Sequence, residues 1–301
     1  MYVKGQQTYT EDVTISTDGA HIFIESGTTL AGAWLITGSN CVIEFGADTT
    51  LTGTLITNTG TGNRFVFGAN SSVSGVITLT TADHYVGIGA GGDINGIVTV
   101  GPDCKLICEN GVALIGIVMA GARGYVNGGG WGTVTDGGTA THGINVTAAD
   151  CRVENISALT TAGGGNAYHA FTTAAGGDRG EFINCRVVDA DDCGFFWAGD
   201  ECVAMFCKIE NGDTQGIFIY APRARVIGNW IANTGSVGVL TGSPGDHSVI
   251  NGNFVWNVAV GAPINLDTNS EDCVVVGNKL DGAVSDSSGT STVASNEETA
   301  F

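Results

Sequence analysis

A three-residue signature, an aliphatic side chain, any residue, then glycine, recurs through the first half of the chain. It reads Leu30-Ala31-Gly32, Leu51-Thr52-Gly53, Val73-Ser74-Gly75, Ile94-Asn95-Gly96 and Leu114-Ile115-Gly116. The glycines are 21, 22, 21 and 20 residues apart. A near-constant period in that range is the mark of a solenoid, in which each repeat is one coil laid over the last. Composition agrees: 48 Gly and only 4 Pro, with Thr, Val, Ile and aromatics filling the rest, suit many short strands joined by tight corners. An all-β parallel β-helix of about twelve coils is predicted, and a continuous repeat favours one domain over two.

The formal charge is −19, with 30 Asp and Glu against 11 Lys and Arg. Nucleic acid needs basic residues to displace its counterions, so it is not an expected partner, and an anionic membrane is disfavoured for the same reason. An acidic surface of this kind usually serves solubility. No apolar run reaches the ~18 residues that cross a bilayer, and Met1-Tyr2-Val3-Lys4-Gly5-Gln6-Gln7 lacks a signal peptide's basic flank and apolar core. Nine cysteines without a Cys-x-x-Cys pair signal neither a disulfide framework nor a zinc site. Cys41, Cys104, Cys151, Cys202 and Cys273 each open a repeat, as small buried fillers in a protein built in reducing surroundings.

Residues 1–20 hold one alternating strand, Tyr9 to Ile15, read as a cap over the first open coil. From there the chain divides at His21, Cys41, Arg64, His84, Cys104, Gly124, Cys151, Gly180, Cys202, Arg225, Ser248 and Cys273. Asn40, Asn63, Asp83, Asp103, Asp150 and Asp272 precede these points as turn formers. Two residues after each point comes an apolar side chain: Phe23, Ile43, Val66, Val86, Leu106, Val126, Val153, Ile250 and Val275. A fixed offset in successive strands predicts an inward-facing column.

Later coils carry three further series. Gly143, Ala170, Gly194, Gly216, Gly238 and Gly261 share one position; Asp189, Asn211, Asn233 and Asn257 share a second. Cys185, Cys207, Asn229, Asn253 and Asn278 share a third, each followed two residues on by Val187, Ile209, Ile231, Val255 or Leu280. Stacked asparagines link their amides from coil to coil, so these are expected to be structural ladders. The coils from Gly124 and Cys151 are long, 27 and 29 residues, and carry the loops Gly128–Gly132 and Gly163–His169. Extra residues leave a solenoid at a corner, commonly on its working face, which makes this the expected ligand region. Residues 283–301 are too polar for another buried coil and read as a tail, leaving 21–282 as the β-helix.

Coils such as Ile22-Phe23-Ile24-Glu25-Ser26-Gly27-Thr28-Thr29-Leu30-Ala31-Gly32 and Ser248-Val249-Ile250-Asn251-Gly252-Asn253-Phe254-Val255 resemble the right-handed parallel β-helices of the pectate-lyase-like superfamily. Within it they look most like tailed-phage tailspikes and related virion spikes. The resemblance covers residues 20 to about 282 and implies fold more than activity. It implies a right-handed helix, a homotrimer, contact with other virion proteins, and a location in the virion after assembly in the host cytoplasm. It also implies a protein that binds, or cuts, host surface polysaccharide. The coils begin almost at Met1, leaving no room for an N-terminal head-binding domain, so head decoration or a small adhesin stands beside a tailspike.

Cleavage by this fold would need two carboxylates ~5.5 Å apart for retention or ~6.5 to 9.5 Å for inversion. Asp191 and Asp213 fall at equivalent places in adjacent coils, with Tyr168, His169, Trp197, Asp200 and Tyr220 in nearby ones; a reading of both aspartates as turn residues fits equally well. Gly199-Asp200-Glu201-Cys202 is similar to the acidic motif of polygalacturonases, but the Gly-His-Gly and Arg-x-Lys that family needs do not follow. Glu201 also belongs to a corner series with Arg179 and Arg223. The Gly-rich loops precede no helix, so no phosphate cradle is expected, and no metal or cofactor is. Trp230 and Phe254 share an outward position below Arg186 and Lys208, with Trp256 in the adjoining column. Stacked exterior rings are normally covered, here by another subunit in preference to a sugar. The first expectation is thus a structural or adhesive virion protein, and the alternative is a polysaccharide hydrolase or lyase.

Overall fold

The computed structural model describes residues 1–57, 59–135, 143–159 and 169–298. Those residues form 37 strands and no helix, and each strand pairs in parallel with its counterpart one coil later. The fold is a parallel β-solenoid of about twelve turns. It divides into two compact units, Met1–Gly137 and Gly138–Phe301.

In the first unit the repeated signature has a steric cause. Leu30, Leu51, Val73, Ile94 and Leu114 stack in register and are buried. A Cβ on Gly53 would stand 2.0 Å from the Gly32 carbonyl oxygen, and the same clash repeats at Gly75 and Gly96. Only glycine lets one coil close on the next at that corner. Residues 1–20 are more than a cap strand: Tyr2–Val3, Thr8–Tyr9 and Val13–Ile15 pair with the coil above and make a rung of their own.

The inward column runs Ile22, Ile43, Phe65, Val86, Leu106 and Val126. Phe23 is 41% exposed and Val66 faces outward, so the expected column was displaced by one residue at these two coils. The true corner is a left-handed residue that recurs as Asn40, Gly62, Asp83, Asp103 and Arg123. Asn63 lies one place beyond that corner, next to Cys41 of the preceding coil, whose N–H it accepts through Oδ1 at 2.8 Å. Matching Asn63 to Asn40 by residue type shifted the frame, and a one-residue slip turns every side chain to the other face.

In the second unit Val153, Phe182, Ala204, Val226, Ile250 and Val275 form the inward column. The buried asparagine ladder is present: Asn229 Nδ2 donates to Asn253 Oδ1 at 3.0 Å, Asn253 Nδ2 to Asn278 Oδ1 at 2.9 Å, and Asn278 Nδ2 to Asn296 Oδ1 at 3.0 Å. The surface ladder Asp189, Asn211, Asn233, Asn257 is present too. In the glycine series Gly194, Gly216 and Gly238 stack as expected, but Pro263 rather than Gly261 lies beyond Gly238, whose Cβ would be 2.5 Å from the Pro263 oxygen. The polar C-terminal stretch is a further rung, not a tail: Ser285–Asp286, Thr292–Ala294 and Glu297–Glu298 pair in parallel with the preceding coil. Backbone pairing needs no apolar side chain. All nine cysteines are buried and unbridged.

Candidate functional site

Large apolar groups on the outside of a solenoid contribute nothing to its core, and the second unit gathers several on one face. Trp230–Ala232 runs in register between Lys208–Glu210 and Phe254–Trp256, which places Lys208, Trp230, Phe254 and Lys279 in one outward column. The Trp230 and Phe254 rings stack with centroids 4.5 Å apart at 28°, and Trp230 is 43% exposed. Trp256 sits in the adjoining outward column, opposite Ala232.

Phe206 completes this surface and was not singled out from the sequence. It is 64% exposed and has φ 56°, at a corner held elsewhere by Asn155, Asn184, Gly228, Gly252 and Gly277. A left-handed conformation costs a bulky L-residue about 1 kcal/mol, and strain of this sort gathers at functional positions. The one available signal was the aromatic standing where the other coils place asparagine or glycine. Phe206, Cys207, Lys208, Gly228 and Trp230 line a groove of ≈ 260 Å³. Beside it, Glu210 accepts from Lys208 Nζ at 2.8 Å and from Arg186 Nη2 at 2.9 Å. Lys208 and Arg186 hold its carboxyl below the usual range, so it is a fixed anion and a poor proton donor near neutral pH.

His169 lies elsewhere, among groups absent from the expected constellation. Its ring stacks on Phe196 at 4.7 Å and 8°, and its Nδ1 is 3.6 Å from Asp192 Oδ2. Thr214 Oγ1 donates to Asp192 Oδ1, and Cys193 Sγ lies 3.1 Å from Gln215 Oε1. Along the outward side of the same strands, Phe196 meets Phe218 at 5.5 Å and Phe218 meets Tyr220 at 6.0 Å. Tyr220 is 49% exposed.

The remaining candidates scatter. Ala190 bridges Gly212, so Asp191 and Asp213 are rung neighbours, as the spacing predicts. Asp213 lines a shallow surface hollow with Asn211, Asn233 and Asn257, the residues of the asparagine ladder. Trp197 is fully buried and packs on Phe182 and Phe195 at 6.4 and 6.1 Å; it is a core residue and no ligand platform, because the strand's alternation turns it inward. Arg223 pairs with both Asp200 and Glu201, at 3.0 and 2.9 Å, and Arg179, Glu201 and Arg223 share the left-handed corner. The polygalacturonase-like string is therefore a run of paired corner charges. Gly128–Gly132 is not an extruded loop but part of the strand Tyr125–Thr135, while Tyr168 and the rest of the second expected loop up to His169 lie outside the described residues.

No family model matches the sequence, and no curated protein does. Among solved structures the chain is similar to the A-module of the mannuronan C-5 epimerase AlgE6 of Azotobacter vinelandii, at 13% identity and a TM-score of 0.56, over 98% of this chain and 91% of that one. The AlgE4 A-module of the same organism aligns at 12% identity and 0.49, over 92% and 91%. The tailspike protein of E. coli bacteriophage HK620, in complex with a pentasaccharide, aligns at 10% and 0.44, over 94% and 59%. At these identities the likeness to the AlgE6 module establishes the right-handed parallel β-helix and nothing finer. No described helix is long and apolar enough to cross a membrane.

Proposed function

We propose that the chain is a structural, glycan-binding β-helix of a tailed-phage particle, a spike, fibre or head decoration, that holds polysaccharide in the Phe206–Trp230 groove without cutting it. The observation that carries the binding is the strained, exposed Phe206 beside the stacked Trp230 and Phe254 rings. Sugar rings offer flat C–H faces to aromatics and hydroxyls to charged neighbours, and an apolar groove edged by Lys208, Glu210 and Arg186 provides both. The virion setting is supported by the resemblance of the coils to phage spikes. A mannuronan epimerase module uses the same fold, so a β-helix of this kind is compatible with polysaccharide.

Binding without hydrolysis follows from the groove's charges. Glu210, its carboxylate, is engaged by two cations, whereas glycoside hydrolysis needs one acid held protonated opposite a second carboxylate. With a net charge of −19, the protein repels polyanions, so the favoured ligand is a neutral glycan.

Affinity electrophoresis through gels containing an uncharged host surface polysaccharide tests the groove. Wild type is retarded, Trp230→Ala loses most of the retardation, and Phe206→Gly loses it while folding at least as stably, because glycine suits that φ. Unchanged retardation in both variants would move binding elsewhere. The covering of the rings by other copies of this chain is the second reading, favoured by their stacking across rungs; a homotrimer in sedimentation equilibrium that Trp230→Ala dissociates would support it.

A further inference from the structure

Outside the groove, His169, Asp192 and Cys193 place an imidazole nitrogen, a carboxylate oxygen and a thiol sulfur within 4.8 Å of one another. We propose that these three side chains bind a zinc-class transition-metal cation, with His169 Nδ1, an Asp192 oxygen and Cys193 Sγ as ligands. Nitrogen and sulfur donors select such a metal over calcium or magnesium, which take oxygen.

The geometry fits. Metal–ligand bonds of about 2.0 to 2.3 Å in a tetrahedron set the ligand atoms roughly 3.3 to 3.7 Å apart. His169 Nδ1 is 3.6 Å from Asp192 Oδ2 and Cys193 Sγ is 3.6 Å from Oδ1 of the same carboxylate, while nitrogen and sulfur lie within 4.8 Å, so a small turn of the carboxylate brings one oxygen into the set. Nδ1 is unprotonated, accepting the Cys193 backbone N–H at a long 3.4 Å, a contact that a metal would replace on the same lone pair. Asp192 and His169 are also held from behind, as ligands in metal sites are. Thr214 Oγ1 donates to the carboxylate, and Phe196 fixes the imidazole plane. Gln215 Oε1, 3.1 Å from the sulfur, or a water completes the fourth position. Burial, aided by the Asp192 charge, pushes the Cys193 thiol up to about 12, so it stays protonated until a cation displaces the proton. His169 and Asp192 retain partial access to solvent, which gives an ion a way in.

The site shares no residue with the glycan groove, so each proposal fails separately. The test is titration of the metal-free full-length protein with Co²⁺, read by absorption. One equivalent is expected to give a thiolate-to-cobalt band in the near ultraviolet with the visible bands of a tetrahedral site, both displaced by Zn²⁺. Cys193→Ser removes the near-ultraviolet band, Cys41→Ser leaves it, and Thr214→Val weakens binding about tenfold through the carboxylate it orients. Circular dichroism confirms folding; should Cys193→Ser unfold, His169→Ala and Thr214→Val carry the test. No band, or a band that survives in Cys193→Ser or in both of those variants, overturns the proposal.

Discussion

His84 occupies the position that Cys41, Asn63 and Cys104 hold in neighbouring coils, and it does there what an asparagine does. Its Nδ1 accepts the Asn63 N–H at 3.1 Å, as Asn63 accepts from Cys41, while Nε2 meets Thr81 Oγ1 at 2.7 Å. Burial is the main reason its pKa lies below 6.5, since the charged ring would be desolvated; hydrogen bonding to the Asn63 backbone and the Asp83 charge oppose this only in part. As pH falls through 6.5 the unfolded chain takes up a proton that the folded one refuses, so stability declines with falling pH until the lower folded value is passed. The melting temperature is expected to drop between pH 7 and 5 in wild type and to drop less in His84→Asn, which keeps the acceptor and removes the titration. Parallel declines in the two proteins would assign the effect to other groups. The sequence showed the histidine at a coil boundary, but nothing in a single letter showed that its ring substitutes for an amide.

Each coil boundary is set by two things that leave different traces in a sequence. The aliphatic-x-glycine corner is visible because clash with the carbonyl below permits one residue type, and the inward partner is always apolar. The left-handed corner is less legible, because glycine, asparagine, aspartate, arginine and histidine all fill it. That tolerance hid the frame at Arg64 and concealed Phe206, whose ring looks like one more core residue until its corner is known. The two kinds of glycine should respond differently. Gly53→Ala puts a methyl 2.0 Å from the Gly32 oxygen and is expected to prevent that rung from closing, seen as insoluble or protease-sensitive protein. Gly252→Ala, at φ 66° with nothing within 4 Å, should cost about 1 kcal/mol in a denaturant titration. Equal effects would remove the steric explanation of the repeat.

At the scale of the whole chain, the rung at residues 285–298 reads as a tail because its polarity answers a different need. Its strands are held by backbone pairing to the preceding coil, which asks for no apolar side chain, and Asp286, Glu297 and Glu298 set negative charge along it. Together with the net charge of −19 this favours a protein that meets neutral surfaces and shuns polyanions. The period made the architecture readable, and the outward columns made Trp230 and Phe254 readable with it. The His169, Asp192 and Cys193 cluster was not readable, because His169 belongs to the long coil from Cys151 and meets the adjacent Asp192 and Cys193 of the next coil only in space. The central claim, that this β-helix grips a neutral glycan and leaves it intact, is tested most directly by incubating the protein with purified host polysaccharide. Light scattering coupled to size exclusion then follows the polymer. The account predicts co-elution of protein and polysaccharide with the polymer's mass unchanged over hours; shortening of the polymer with new reducing ends, or separate elution of the two, would contradict it.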